Sequence, residues 1–192
     1  YTLTFKGVSA EIQLPVEIPA LTYGDEVDGL GFISNNTKDA LAYSFSKEGV
    51  LEVGEDGKVR AVGAGEVVVT ASQPGSDDFT PAESEPMTLT VAKAPLNVSL
   101  ADDAWTWRGI AVSTSNMDKG KCHYTFVYDG WKWNDAEKDA SEVLSKLPTV
   151  SASVPKDAEA VGSERAAKLS GGAAENYDLK FAEDAKFKVV KN

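Results

Sequence analysis

The chain has 192 residues, 30 of them acidic and 19 basic, and a formal net charge of −11. One Cys forbids an internal disulfide, and one Cys with one His excludes a His/Cys-rich metal site. The charge disfavours phosphate backbones and anionic membrane surfaces, and no apolar run reaches the roughly 18 residues a spanning helix needs.

Strand signals dominate from the start, as period-two alternation bounded by Gly, Pro, Asn and Asp. Thr2-Leu3-Thr4-Phe5 alternates, so the chain is read as opening on a strand, not a leader peptide. Glu11-Ile12-Gln13-Leu14 alternates before Pro15, and residues 30–33 are apolar before the loop Ser34-Asn35-Asn36-Thr37. Residues 41–45 alternate again. The clearest pair is 50–53 with 58–62, split by Gly54-Glu55-Asp56-Gly57. Leu51, Val53, Val59 and Ala61 then share one face, and Asp-Gly supplies the backbone freedom of a hairpin loop. The β-branched run Glu66-Val67-Val68-Val69-Thr70-Ala71 suits a central strand. Met87-Thr88-Leu89-Thr90-Val91 closes this half.

The second half opens on the alternating Leu96-Asn97-Val98-Ser99-Leu100. A short strand follows at 110–113. Residues 124–128 and 131–133 flank Asp129-Gly130, which predicts a two-residue hairpin. Asn134 caps one expected helix, whose apolar stripe is Ala136, Ala140, Val143, Leu144 and Leu147, stopped by Pro148. Residues 149–154, 166–170, 177–182 and 186–190 complete the strands.

The halves differ in charge. Residues 1–93 carry 15 acids and 6 bases, whereas residues 94–192 carry 15 acids and 13 bases. The change falls at Lys93-Ala94-Pro95, where Pro95 interrupts a strand-like run. Two domains are therefore expected, 1–93 and 94–192. There is also an internal echo. Tyr177-Asp178-Leu179-Lys180-Phe181 matches the opening Tyr1-Thr2-Leu3-Thr4-Phe5. Either the first 14 or so residues end a preceding repeat, or two aromatic strands coincide by chance.

Two resemblances add to this reading. Leu21-Thr22-Tyr23-Gly24-Asp25, Gly49-Val50-Leu51-Glu52-Val53 and the hairpin phrase Gly57-Lys58-Val59-Arg60-Ala61-Val62-Gly63-Ala64-Gly65 resemble a group 2 bacterial immunoglobulin-like domain over residues 16–93. Residues 93–192 resemble the MBG domain, the mostly beta, glycine-rich repeat of bacterial surface proteins. The phrases are Lys93-Ala94-Pro95-Leu96, residues 124–131, Leu147-Pro148-Thr149-Val150-Ser151 and residues 170–181. Trp105-Thr106-Trp107-Arg108-Gly109 departs from the Tyr-Gly turn usual there. The resemblances imply an all-β fold of two tandem Ig-like β-sandwich domains, the second with one short helix. They imply a secreted or cell-surface bacterial location, neighbouring repeats of a longer chain, and an adhesion or spacer role without catalysis.

The sharpest chemical feature is aromatic. Across the expected hairpin Tyr128 faces Trp131 and Phe126 faces Trp133, with Tyr124 on the same face. Trp105 and Trp107 share a face of their own. One reading is a stacking platform for sugars or a protein partner. The other is the sandwich core, which is favoured because each strand must bury one face. Ligand-binding candidates are accordingly Trp105, Trp107, Tyr128, Trp131 and Trp133. No catalytic residue, metal ligand or cofactor is expected. Cys122 and His123, as strand neighbours, point to opposite faces. Asp77-Asp78 and Asp102-Asp103 lack calcium-loop spacing. Expected partners are a host or cell-surface protein or a glycan, with no nucleic acid and no membrane insertion. A carbohydrate-binding module built on exposed tryptophans is the alternative to adhesion or spacing.

Overall fold

The structure, a computed structural model, describes residues 7–157 and 160–192. The opening segment Tyr1-Thr2-Leu3-Thr4-Phe5, one half of the internal echo, lies outside the described residues. The chain divides into two compact units, Tyr1–Lys93 and Ala94–Asn192, and the fold is all-β.

The first unit contains β1 (Ile12–Gln13), β2 (Leu21–Thr22), β3 (Glu26–Val27), β4 (Ile33–Ser34), β5 (Ala42–Phe45), β6 (Leu51–Val53), β7 (Val59–Ala61), β8 (Gly65–Gln73), β9 (Ala82–Glu83) and β10 (Met87–Ala92). The β-branched run forms β8, which is central as its composition predicts. It pairs antiparallel with β5, β9 and β10, and β2 joins β10 in parallel. A smaller sheet runs β3-β7-β6. Alternation sends Val67, Val69 and Ala71 of β8 and Met87, Leu89 and Val91 of β10 inward. They meet Leu51, Val59 and Ala61 from the smaller sheet in one core with Leu30, Phe32 and Val50. Each such Val or Leu contributes about 2 kcal/mol by leaving water. The expected hairpin is present, with Leu51 opposite Ala61 and Val53 opposite Val59. Just beyond it the chain crosses itself closely. A Cβ on Gly63 would lie 2.0 Å from the Gly49 carbonyl oxygen, so only glycine fits. Residues 8–13 also belong here, since β1 pairs with β4 and Val8 bridges to Phe79.

The second unit contains β11 (Ala94–Leu100), β12 (Trp105–Trp107), α1 (Thr114–Met117), β13 (Cys122–His123), β14 (Phe126–Asp129), a 3-10 turn (Asp135–Glu137), α2 (Ala140–Val143), β15 (Leu144–Ser151), β16 (Glu164–Ala166), β17 (Lys168–Ala174), β18 (Tyr177–Phe181) and β19 (Lys186–Val190). Its sheets run β14-β11-β18, β13-β12-β19-β16 and β15-β17. Cys122, Leu169, Phe187 and Val189 anchor the core.

Three local expectations are corrected. Pro95 does not break a strand but sits within β11, opposite Asp178 of a parallel neighbour. The single expected helix is replaced by a 3-10 turn and the four-residue α2, while α1 is a second four-residue helix that the apolar pattern did not signal. The stripe residues Leu144 and Leu147, and even Pro148, belong to β15, which pairs with β17. Tertiary pairing overrides a weak helical pattern here. Asp129-Gly130 does not close a hairpin either. The partner of β14 is β11, with Asn97 opposite Asp129, and residues 131–133 form no strand. Gly130 passes over β11 at a φ of 105°, where a Cβ would lie 2.9 Å from the Pro95 carbonyl oxygen. The chain therefore peels away from the sheet after Asp129.

Candidate functional site

All four tryptophans lie in the second unit. Core packing was the expectation for most of them, yet none is fully buried and Trp133 is 42% exposed. They form two Trp-x-Trp pairs with different supports.

The first pair sits on β12, between β13 and β19. Thr106 is 0% exposed, whereas Trp105 and Trp107 are partly exposed. The alternation is thus the reverse of what side-chain size suggests: the small polar residue faces the core and the indoles face out. The Thr106 hydroxyl is satisfied by donating to the Ile110 carbonyl at 3.0 Å. Its neighbours across the sheet, Cys122 and Val189, are buried beside it. The core beneath β12 is thus filled by Thr106, Cys122, Val189 and Phe187, which leaves the outer face to the indoles. Trp105 stands between His123 of β13 and Lys188 of β19. Trp107 stands beside Val190, and its backbone N–H donates to the Lys121 carbonyl at 3.0 Å. Neither indole stacks on another ring among the described residues.

The second pair sits on the loop after β14. Here the rings form a ladder. Tyr124 meets Phe126 edge-on at 5.6 Å, Phe126 meets Tyr128 at 6.3 Å, and Tyr128 meets Trp131 at 5.3 Å. Trp131 then stands edge-on to Tyr177 at 5.2 Å. Tyr124, Phe126, Tyr128 and Trp131 of the expected aromatic face lie in contact, with Tyr177 of β18 beside Trp131, but the expected cross-hairpin pairing of Phe126 with Trp133 is not formed because residues 131–133 make no strand. Trp133 instead has a φ of 51°, the one left-handed backbone outside glycine among the described residues.

A buried acid holds this loop. Asp135 is 4% exposed and accepts the Tyr177 hydroxyl at 2.7 Å and the Lys138 ammonium at 2.8 Å. The Lys132 N–H donates to the same Tyr177 oxygen at 2.8 Å. The chain on either side of Trp133 is therefore tied to one phenol. Just beyond, Asp139 caps α2 by accepting from the Ser141 hydroxyl and N–H, and those bonds hold its carboxyl below the usual range. Burial, and then the charge of Asp139, holds the Tyr128 phenol above its ordinary value. Nothing in the sequence marked Asp135 or Tyr177 as partners, because they are 42 residues apart.

The remaining candidates separate as strand geometry requires. Cys122 is buried and its thiol donates to the Ser113 carbonyl, while His123 faces Asp103 with Nε2 at 3.4 Å from the carboxylate. Asp78 pairs with Lys38 on the surface. Among the described residues no three His, Cys, Asp or Glu side chains converge to hold a metal ion. A cleft of about 610 Å³ opens beside β19, lined by Asp102, Glu164, Asp184, Lys186 and Lys188 among others. Among the described residues no helix is long and apolar enough to cross a membrane. No family model matches the chain, and no curated protein matches it.

Proposed function

We propose that the chain is a non-catalytic segment of a secreted or surface-anchored bacterial protein, in which a group 2 Ig-like module precedes an MBG-like module. It serves in adhesion, and the second unit supplies the contact surface through Trp105 and Trp107. The location and the module names rest on the sequence phrases that resemble those families. The contact surface rests on one observation: Thr106 is buried while Trp105 and Trp107 on either side are partly exposed. A strand serving only its own core would place the indoles inside, where each large ring contributes most. A plain spacer needs no such arrangement. A carbohydrate is the favoured ligand class, because an indole face stacks on the apolar face of a sugar ring while flanking polar groups meet its hydroxyls. The separation of Cys122 from His123 supports a role without covalent catalysis.

Titrating tryptophan fluorescence against a panel of glycans tests the reading. An emission shift with at least one glycan supports it. No shift across the panel overturns the binding role and leaves the spacer role.

A further inference from the structure

The two tryptophan pairs sit in opposite electrostatic surroundings, and this deepens the sugar-binding reading on which it rests. The chain is strongly acidic overall, and the loop pair follows suit. Residues 129–139 contain Asp129, Asp135, Glu137 and Asp139 against Lys132 and Lys138. The strand pair reverses the sign. The residues that the sheet register places on the outer face around Trp105 and Trp107 include Lys121, His123, Lys186 and Lys188, with Glu164 as the one carboxylate among these strand positions. Glu164 is already engaged by Lys186 at 3.6 Å. Asp103 is engaged by His123. The ammonium groups of Lys121 and Lys188 have no ion-pair partner among the described residues. Past Trp107 the strand ends: the Arg108 backbone N–H donates to the Val190 carbonyl, and the Lys156 side chain lies against Gly109. At the Trp105 end the cleft beside β19 is lined by Asp102, Glu164 and Asp184 together with Lys186 and Lys188.

We propose that the Trp105–Trp107 face binds an acidic polysaccharide, one whose sugar rings carry carboxylates. Rings stack on the two indoles, which follow one another at alternate positions on one strand face. The carboxylates meet Lys121 and Lys188 on the two flanks, with Lys156 beyond the turn at Gly109. The ligand runs along β12 across Trp105 and Trp107. The second unit is close to neutral, with 15 acids against 13 bases, so the local lysine–carboxylate attraction dominates there and salt, by screening it, weakens binding.

The test uses the full chain, with polygalacturonate as the acidic probe and cellohexaose as the neutral one. Polygalacturonate is expected to shift tryptophan emission and to bind more weakly as salt rises. Trp105→Ala and Trp107→Ala each weaken it about tenfold. Lys121→Gln and Lys188→Gln each weaken it about threefold. Lys121→Glu with Lys188→Glu abolishes it while far-ultraviolet circular dichroism stays unchanged, which separates lost binding from lost folding. Trp131→Ala leaves it as in the parent. If cellohexaose binds and polygalacturonate does not, the acidic ligand is wrong and the sugar-binding reading stands. If polygalacturonate binds but depends on Trp131 and Trp133, the assigned face is wrong and the reading again stands. If neither probe binds, the acidic ligand falls, and the glycan panel decides the reading separately. Tighter binding of a single-stranded oligonucleotide to the same face overturns the sugar class.

Discussion

The two Trp-x-Trp pairs of the second unit share a spacing and almost nothing else. On β12 the backbone is a regular strand held by neighbours on both sides, so two indoles at alternate positions share a face. After β14 the same spacing falls on a turn. There Trp131 packs into an aromatic ladder and Trp133 adopts a left-handed backbone. The lesson is that spacing becomes geometry only through the backbone beneath it. A strand makes Trp-x-Trp a platform, and a turn makes it an anchor and a tip.

Removing the tie beneath the loop separates the pairs most sharply. Asp135→Ala deletes the buried carboxylate that holds Tyr177 and Lys138, and is expected to cost about 3 kcal/mol. Urea unfolding followed by tryptophan emission measures this, and a cost below 1 kcal/mol would show that the tie is incidental. Native emission from Trp131 and Trp133 should change while polygalacturonate binding at β12 persists. Tyr177→Phe keeps the ring against Trp131 but removes the hydroxyl that Asp135 accepts and Lys132 uses. It should cost about 1 to 2 kcal/mol in the same assay, less than Asp135→Ala.

Paired glycine substitutions sharpen the contrast further, because their signs should differ. Trp133→Gly relieves a left-handed conformation that penalises a bulky residue, raising stability by about 1 kcal/mol. Trp105→Gly loosens a strand and should lower it by a similar amount. Melting temperatures of the two variants decide it, and a fall in both would mean that contacts of the Trp133 ring outweigh its backbone strain. The smallest effect concerns acid. Asp139 has a lowered pKa, so its capping contribution is present above the ordinary carboxylate value and is lost as pH falls through the lowered one. A carboxyl titration by nuclear magnetic resonance should place its midpoint below the usual range. The β12 platform contains no such cap.

Much of the sheet structure was legible from local pattern. Alternation marked β8, β10 and β11, and the Gly54-to-Gly57 turn fixed the register of β6 against β7. The failures share a cause, which is competition from a distant strand. Asp129-Gly130 looks like a hairpin, but β11 supplies the partner that residues 131–133 would have been. Leu144 and Leu147 look helical, but β17 pairs with them. Trp105 and Trp107 were recognised as sharing a face, but which face could not be read from size. Thr106 faces inward because Cys122 and Val189 leave it a small space and Ile110 an acceptor. The Asp135–Tyr177 tie was invisible for the same reason, since nothing local announces a hydrogen bond between distant elements.

Confining every tryptophan to one unit has an optical consequence. Residues 1–93 contain no indole, so light absorbed at the red edge of the ultraviolet band excites the second unit alone. The first unit has tyrosines, including the buried Tyr23, and phenylalanines, which absorb at shorter wavelengths than indole. The intact chain thus carries its own two-channel readout. Indole emission follows one module and far-ultraviolet dichroism the sum, so the difference gives the other without a label.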